Sequence, residues 1–306
     1  MFEVVAQAAL IIACGIAWRT MNPAGLDPAT ARRVITGLVY YLLLPALVLS
    51  VMWRAPLGIE VLQIAGLALL GMLAALAIAW AWYQARGAAP TQTGALLLAA
   101  IFPNVTYLGL PVLEKTLGPW ARGVALQYDL FACTPFLLTG GIMLARRYGL
   151  HEDHENIWKA LLKVPPLWAA ILGIGLNELG VPLTDWTAEF LNMLASGVAP
   201  LMLISLGLGL YWPQQWRQHA GLIAPAVAIK LALAPLIVWS GALVLGTTPD
   251  LRTAIVLEAA MPSMLLGVVL CDRYGLDTRL YAETVTATTL LALISLPLWF
   301  EFVAAG

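Results

Sequence analysis

Two apolar stretches of the chain are each interrupted by a proline that is followed at once by a short polar residue. The pairs are Pro103-Asn104 and Pro262-Ser263. A helix that breaks inside a bilayer frees backbone groups that lipid cannot bind, so protein or water must cover the break. The half-helix after a break presents N-terminal amides, which attract anions. Two such breaks predict an anion site with Asn104 and Ser263 as ligands, since interrupted helices hold the substrates of secondary transporters.

Asn104 is the first candidate for direct contact with a substrate, because a carboxamide offers donors and acceptors without burying a charge. The alternative is that its side chain only caps the broken helix. Thr106 and Tyr107 are further candidates, and either could equally be a helix-packing residue. Gly109 and Pro111 loosen the half-helix that follows and allow close approach of the backbone.

Four ionisable side chains fall inside predicted membrane segments: Asp129, Lys230, Glu258 and Glu283. A charge at this depth is costly, which makes it a candidate for function or for pairing. One interpretation is that Lys230 neutralises an acid and holds the helices together. Another is that Glu258 or Asp129 takes up a proton during transport, because burial favours the neutral form of a carboxyl group. Lys230 could instead attract an anion.

The composition places most of the chain in lipid. Of 306 residues, 61% are hydrophobic and 11% are charged, whereas soluble domains carry about 25% charge. A net charge of -1 argues against nucleic acid as a partner. The three cysteines lie in apolar segments and the three histidines in predicted loops, so we expect no metal site. The sequence contains no phosphate-binding loop and no catalytic arrangement, which predicts neither an enzyme nor a cofactor.

Ten segments are apolar and long enough, or nearly so, to span a bilayer, which takes about 20 residues. They lie at 3–19, 33–53, 60–83, 93–115, 121–145, 161–179, 189–211, 221–246, 251–271 and 279–302, and are numbered segments 1 to 10.

Basic residues divide unequally between the two sides that these segments create. Eleven lie on one side, namely Arg19, Arg32, Arg33, Arg86, Arg146, Arg147, Lys159, Lys163, Arg217, Arg273 and Arg279. Four lie on the other, namely Arg54, Lys115, Arg122 and Arg252. Because cytoplasmic loops are enriched in Lys and Arg, we expect a multi-pass protein of the cytoplasmic (inner) membrane with both termini outside and the central loop inside.

The first five segments resemble the second five. Three pairs match at offsets of 155 to 159 residues: 45–50 with 200–205, 15–16 with 173–174, and Pro103 with Pro262. Because five is odd, the second unit must lie inverted relative to the first. The sequence therefore predicts an all-α integral membrane fold of ten helices in two inverted repeats, 1–145 and 161–306, joined by a short linker at 146–160.

Two motifs resemble those of the auxin efflux carrier family, and the resemblance runs the full chain. They are Phe102-Pro103-Asn104 followed by Gly109-Leu110-Pro111, and Ala259-Ala260-Met261-Pro262 followed by Asp272-Arg273-Tyr274-Gly275-Leu276. The resemblance implies a fold similar to bile acid:sodium symporters, with broken helices 4 and 9 crossing. It implies a scaffold of helices 1, 2, 6 and 7 and a moving transport domain of helices 3–5 and 8–10. It also implies a homodimer and an organic-anion substrate that Asn104 contacts.

Two departures from the plant members refine the expected function. The linker between segments 5 and 6 is short, and Glu258 stands where the plant carriers have a neutral amide, which favours proton linkage. We expect a carrier for a small carboxylate, malate more than an auxin-like acid, that works by alternating access. The alternatives are a sodium- or proton-coupled symporter or antiporter of the bile acid symporter type, and a membrane sensor that binds a ligand without moving it.

Overall fold

The computed structural model describes residues 1–23, 25–55, 58–151, 162–210 and 216–304. Within these ranges the protein is helical and contains no strand. The helices in chain order are α1 Phe2–Met21, α2 Pro28–Met52, α3 Ile59–Arg86, α4 Pro90–Ile101, α5 Leu110–Leu117, α6 Ala121–Tyr148, α7 Pro165–Glu178, α8 Asp185–Gly209, α9 Gln218–Val244, α10 Pro249–Ala259, α11 Gly267–Tyr274 and α12 Thr278–Ala304.

Seven of the described helices are long and apolar enough to cross a membrane: α1, α2, α3, α6, α8, α9 and α12. The protein is therefore an integral membrane protein that crosses the bilayer several times. Predicted segments 4 and 9 are each divided into two short helices, as their prolines predict, and segment 6 corresponds to the shorter α7. The total of ten spans and the inverted relation of the two halves stay predictions.

Turns of π-helix widen several of these helices in the described residues, at Val39–Leu43, Val105–Gly109, Asp129–Cys133, Leu137–Gly141 and Ile229–Leu233. All but the fourth end two residues before a proline: Pro45, Pro111, Pro135 and Pro235. Proline lacks an N–H, and its ring clashes with the carbonyl four residues earlier, so a wider turn just before it relieves the clash. Three of these four turns contain Tyr107, Asp129 and Lys230, so prolines of the sequence set the positions of these candidate site residues.

The helices pack in two groups. In one group, α1 packs against α8, and α2 packs against both α7 and α8. Close approach of α1 and α8 depends on two glycines, since a Cβ on Gly15 would lie 3.0 Å from the Cα of Gly207. In the other group, α3 packs against α4 and α9, and α12 packs against α4, α9 and α10. The cavity described below is lined by α2 of the first group and by α6, which packs against α3 of the second.

One sequence-based assignment is wrong. His219 was expected in a loop, but α9 begins before it and places it on the first helical turn. The predicted start at residue 221 was too late because Gln218 and His219 are polar, although a helix can begin with polar residues outside the lipid.

Candidate functional site

The two breaks in the chain lie against each other. The N–H of Asn104 donates a hydrogen bond to the carbonyl of Pro262 (2.8 Å), and the N–H of Met264 donates to the carbonyl of Phe102 (2.9 Å). These bonds form an isolated antiparallel bridge between Pro103 and Ser263. Each break therefore satisfies backbone groups that the other has freed, which is what a broken helix inside a membrane requires.

The second break uses its polar groups to hold itself in place. The fully buried Ser263 donates its hydroxyl hydrogen to the carbonyl of Ala99 (2.7 Å), and its N–H donates to the hydroxyl of Thr288 (3.1 Å). The hydroxyl of Tyr281 donates to the carbonyl of Met264 (2.6 Å). Ser263 is absent from the lining of the cavity described next, and its hydroxyl already has a partner.

A cavity of about 550 Å³ begins at the first break. It extends between α2 and α6 from Asn104 and Tyr107 to Ala29 and Pro166 at one end of the molecule. Its walls are mainly apolar and include Leu44, Val48, Leu130, Leu137, Leu138, Met264 and Leu266. Of the predicted substrate-binding residues, the structure brings Asn104, Thr106 and Tyr107 together at this cavity.

Two donors at the inner end of the cavity have no hydrogen-bond partner among the described residues: the Nδ2 of Asn104 and the hydroxyl of Tyr107. Both side chains are buried, with 2% and 6% of their surface exposed. Asn104 precedes the turn Val105–Gly109, yet its side chain makes no capping hydrogen bond. An unpaired buried donor costs about 1–3 kcal/mol, so this geometry suits a ligand that supplies acceptors.

The cavity also contains a cation that sequence analysis missed as a site residue. Arg32 lies near the start of α2, lines the cavity and interacts electrostatically with Tyr107. It makes no hydrogen bond or ion pair with any described residue. Sequence analysis includes Arg32 only among the eleven basic residues on one side of the membrane. A basic residue directly before the predicted start of an apolar segment is the signal that could have identified it.

Asp129 lies beside these donors, on the π-helical turn of α6, and is held by two threonines. The hydroxyl of Thr106 donates to its Oδ2, and the hydroxyl of Thr134 donates to its Oδ1 at 2.9 Å. The hydroxyl of Thr106 is therefore already hydrogen-bonded to the carboxyl group of Asp129. The arrangement places one acidic group in a cavity that otherwise presents donors and a cation.

Lys230 and Glu258 are buried behind the breaks and do not line the cavity. The ammonium of Lys230 lies 3.5 Å from the carbonyl of Ile101, the last residue of α4, where the negative end of the helix dipole stabilises a cation. Neither carboxylate oxygen of Glu258 has a hydrogen-bond partner among the described residues. The pairing of Lys230 with an acid is not seen as an ion pair in the described part of the chain.

Gly109 lies against the side chain of Glu258. A Cβ at residue 109 would collide with the carboxylate of Glu258, which would have to move to make room for it. Pro111 lies two residues further on, at the start of α5. The small residue expected to allow close approach of the backbone therefore does so against a side chain of α10.

Glu283 belongs to a separate cluster at the start of α12. Its Oε2 lies 2.5 Å from the Nδ1 of His219, and its Oε1 accepts from the Nε of Arg279 at 3.1 Å. It pairs with these residues and not with Lys230, which the sequence had considered as a partner for an intramembrane acid.

No group of three or more potential metal ligands occurs among the residues that the structure covers. His154, which we expect in a loop, and its acidic neighbours Glu152, Asp153 and Glu155 lie outside the described residues.

Comparison with known proteins agrees with the membrane architecture. The sequence profile of a family described as "Membrane transport protein" matches residues 2–300. An uncharacterized transporter of Methanothermobacter thermautotrophicus is 30% identical over 305 residues, which cover 97% of this chain and 96% of the relative. An uncharacterized transporter of Methanocaldococcus jannaschii is 29% identical over 220 residues, 68% of each chain. The chain belongs to this membrane transport protein family, the auxin efflux carriers.

Proposed function

We propose that this protein is a secondary transporter that moves a small organic anion through the membrane by alternating access. The observation that carries the proposal is the set of unsatisfied donors at the inner end of an apolar cavity. Asn104 Nδ2, the Tyr107 hydroxyl and the Arg32 guanidinium all line this cavity, and a carboxylate offers the acceptors that they lack.

The lining of the cavity favours a monocarboxylate with an apolar body. Five leucines of α2 and α6 line the wall, and they offer no hydrogen-bond partner to a second carboxylate away from the donors. An auxin-like acid therefore fits better than malate, which the sequence had favoured.

A proton is the coupling ion that we propose. Asp129 is the acid that shares the cavity with the substrate donors, whereas Glu258 lies outside the lining. Protonation of Asp129 would remove a negative charge from the vicinity of a bound anion and so link the two events. Sodium coupling is the alternative that the flux experiment below distinguishes.

We propose for this chain the architecture that the internal repeat and the family resemblance imply. Ten spans in two inverted repeats would divide into a scaffold and a transport domain. The grouping of α1, α2, α7 and α8 by packing supports this division. We also propose that the cavity opens toward the cytoplasm, because the exposed Arg33 lines it near Ala29, at its open end, and basic residues mark the cytoplasmic side. A homodimer in the inner membrane is proposed on the resemblance alone.

Flux into liposomes tests the function. Purified protein is first screened by thermal shift against aromatic and aliphatic monocarboxylates and malate, and uptake of the stabilising acid is then measured. We expect saturable uptake that rises with a pH gradient and does not depend on sodium. Binding without flux under every gradient would contradict the proposal and would identify a sensor.

A further inference from the structure

A second hollow, of about 370 Å³, lies toward the other end of α2. It is formed by the start of α1, by α5, by the first turn of α6 and by the middle of α8. Gln7, Lys115 and Ser196 line it and are exposed, so the hollow has a polar rim. The Glu114–Arg122 ion pair also contributes to its lining.

The hollow and the central cavity come within one layer of side chains of each other. On α2, Leu44 and Val48 line the central cavity, whereas Leu47 lines the hollow. On the chain leading into α5, Tyr107 lines the cavity and Leu110 lines the hollow. Residues three apart on a helix are separated by about 5 Å along its axis, so the barrier is thin at both places.

Three buried leucines from three helices line the hollow and are the candidates for this layer. Leu47 of α2, Leu110 of α5 and Leu203 of α8 line the hollow, and their exposed fractions are only 2%, 1% and 3%. Their side chains offer no polar group to an anion, and an apolar layer excludes a charge that has lost its water. Packing alone holds the layer together, so sliding the helix groups apart would open it.

We propose that the hollow is the far vestibule of the transport path and that Leu47, Leu110 and Leu203 are its closed gate in this conformation. The inference rests on the proposed transport function and adds the residues that block the route. A carboxylate that passed the leucines would enter a vestibule with Lys115 at its rim.

Accessibility of single cysteines to a membrane-impermeant maleimide tests the two ends of the path. The exposed Cys14 is first replaced by alanine, while Cys133 and Cys271 are buried and stay. Gly37→Cys reports on the central cavity, where a Cβ meets no atom within 4 Å, and Ser196→Cys reports on the hollow. We expect each to react from one side of the membrane only, and from opposite sides. Reaction of both from the same side would overturn the proposal.

Shortening leucine side chains in this layer tests whether they form the gate. Leu203→Ala and, separately, Leu47→Ala are each combined with Gly37→Cys. We expect labelling of that cysteine from the vestibule side to rise about tenfold, equivalent to about 1.4 kcal/mol in the balance of closed and open forms. Leu62→Ala, at an exposed position of α3, is the matched control and should leave labelling unchanged.

The milder Leu203→Val covers the case in which an alanine variant does not fold, as judged by size-exclusion chromatography. We expect a smaller rise for it. If every gate variant that elutes as the native protein leaves the labelling unchanged, the three leucines are not the gate. Because labelling needs no substrate, opposite-sided labelling without flux of any acid refutes the transport proposal and leaves the two-ended path standing. Flux combined with same-sided labelling refutes only the gate.

Discussion

The two helix breaks have similar sequences but unequal surroundings. At the first, the side chain of Asn104 faces a cavity and its Nδ2 has no partner among the described residues. At the second, the hydroxyl of Ser263 is bonded to Ala99 and its N–H to Thr288. A buried polar group with every bond made stabilises the fold, whereas an unpaired donor beside a cavity is available to a ligand.

The two proline motifs therefore have different roles, although one repeats the other. Proline breaks both helices, and the two breaks depend on each other for backbone hydrogen bonds. Only the first is followed by a π-helical turn that brings Thr106 and Tyr107 to the cavity wall. We therefore propose that the first break contacts the substrate and that the second supports the backbone bridge between the two breaks.

The largest loss of substrate affinity is expected from removing the positive charge of Arg32, which lines the cavity with the first break. Arg32→Gln should weaken binding of a monocarboxylate roughly tenfold to a hundredfold, because a charged hydrogen bond contributes about 1.5–3 kcal/mol. Arg33→Gln is the control. Arg33 also lines the cavity but is exposed, so solvent screens it and the loss should be smaller. Equal losses in both variants, measured by titration calorimetry, would mean that net charge and not position matters.

Gly109→Ala should destabilise the protein by about 1–3 kcal/mol, because the added methyl group overpacks against Glu258. The second variant Glu258→Ala, combined with Gly109→Ala, makes room and should restore part of the loss. Thermal unfolding in detergent measures both. If the double variant is less stable than Gly109→Ala, the contact with Glu258 is not the reason why a larger side chain at residue 109 destabilises the protein.

Ser263→Ala should lower stability by about 1 kcal/mol through loss of its bond to Ala99, and it should leave substrate affinity unchanged. Thermal unfolding and calorimetric titration of one preparation give both numbers. A fall in affinity without a fall in stability would place the second break at the substrate and remove the contrast between the breaks.

Asp129→Asn should lower substrate affinity less than Arg32→Gln does, and its main effect should appear in the coupling of uptake to protons. Uptake should no longer respond to a pH gradient, since the amide cannot take up a proton. Glu283→Gln is the control, because Glu283 pairs with His219 and Arg279 and does not line the cavity. Persistence of the pH response in Asp129→Asn would assign coupling to another group.

Much of the fold follows from the sequence, and less of the site does. Pro103 and Pro262 predict the broken helices, because the backbone rules of the membrane leave few other outcomes. The roles of Ser263 and Arg32 could not be predicted. Which side chain faces a cavity depends on helix rotation and on neighbours distant in sequence, such as Ala99 and Thr288. Glu258 shows the same limit, since its contact with Gly109 joins residues that the sequence places far apart.

The most direct test compares binding of a radiolabelled aromatic monocarboxylate to Asn104→Ala and to Ser263→Ala in the same liposomes. The Nδ2 of Asn104 makes no hydrogen bond to the described residues, so removing this side chain should leave the fold intact. We predict that Asn104→Ala folds with native stability and loses saturable binding, while Ser263→Ala binds as the native protein does. Native affinity in a folded Asn104→Ala variant would contradict the account, because the first break would then not be the place where the anion is held.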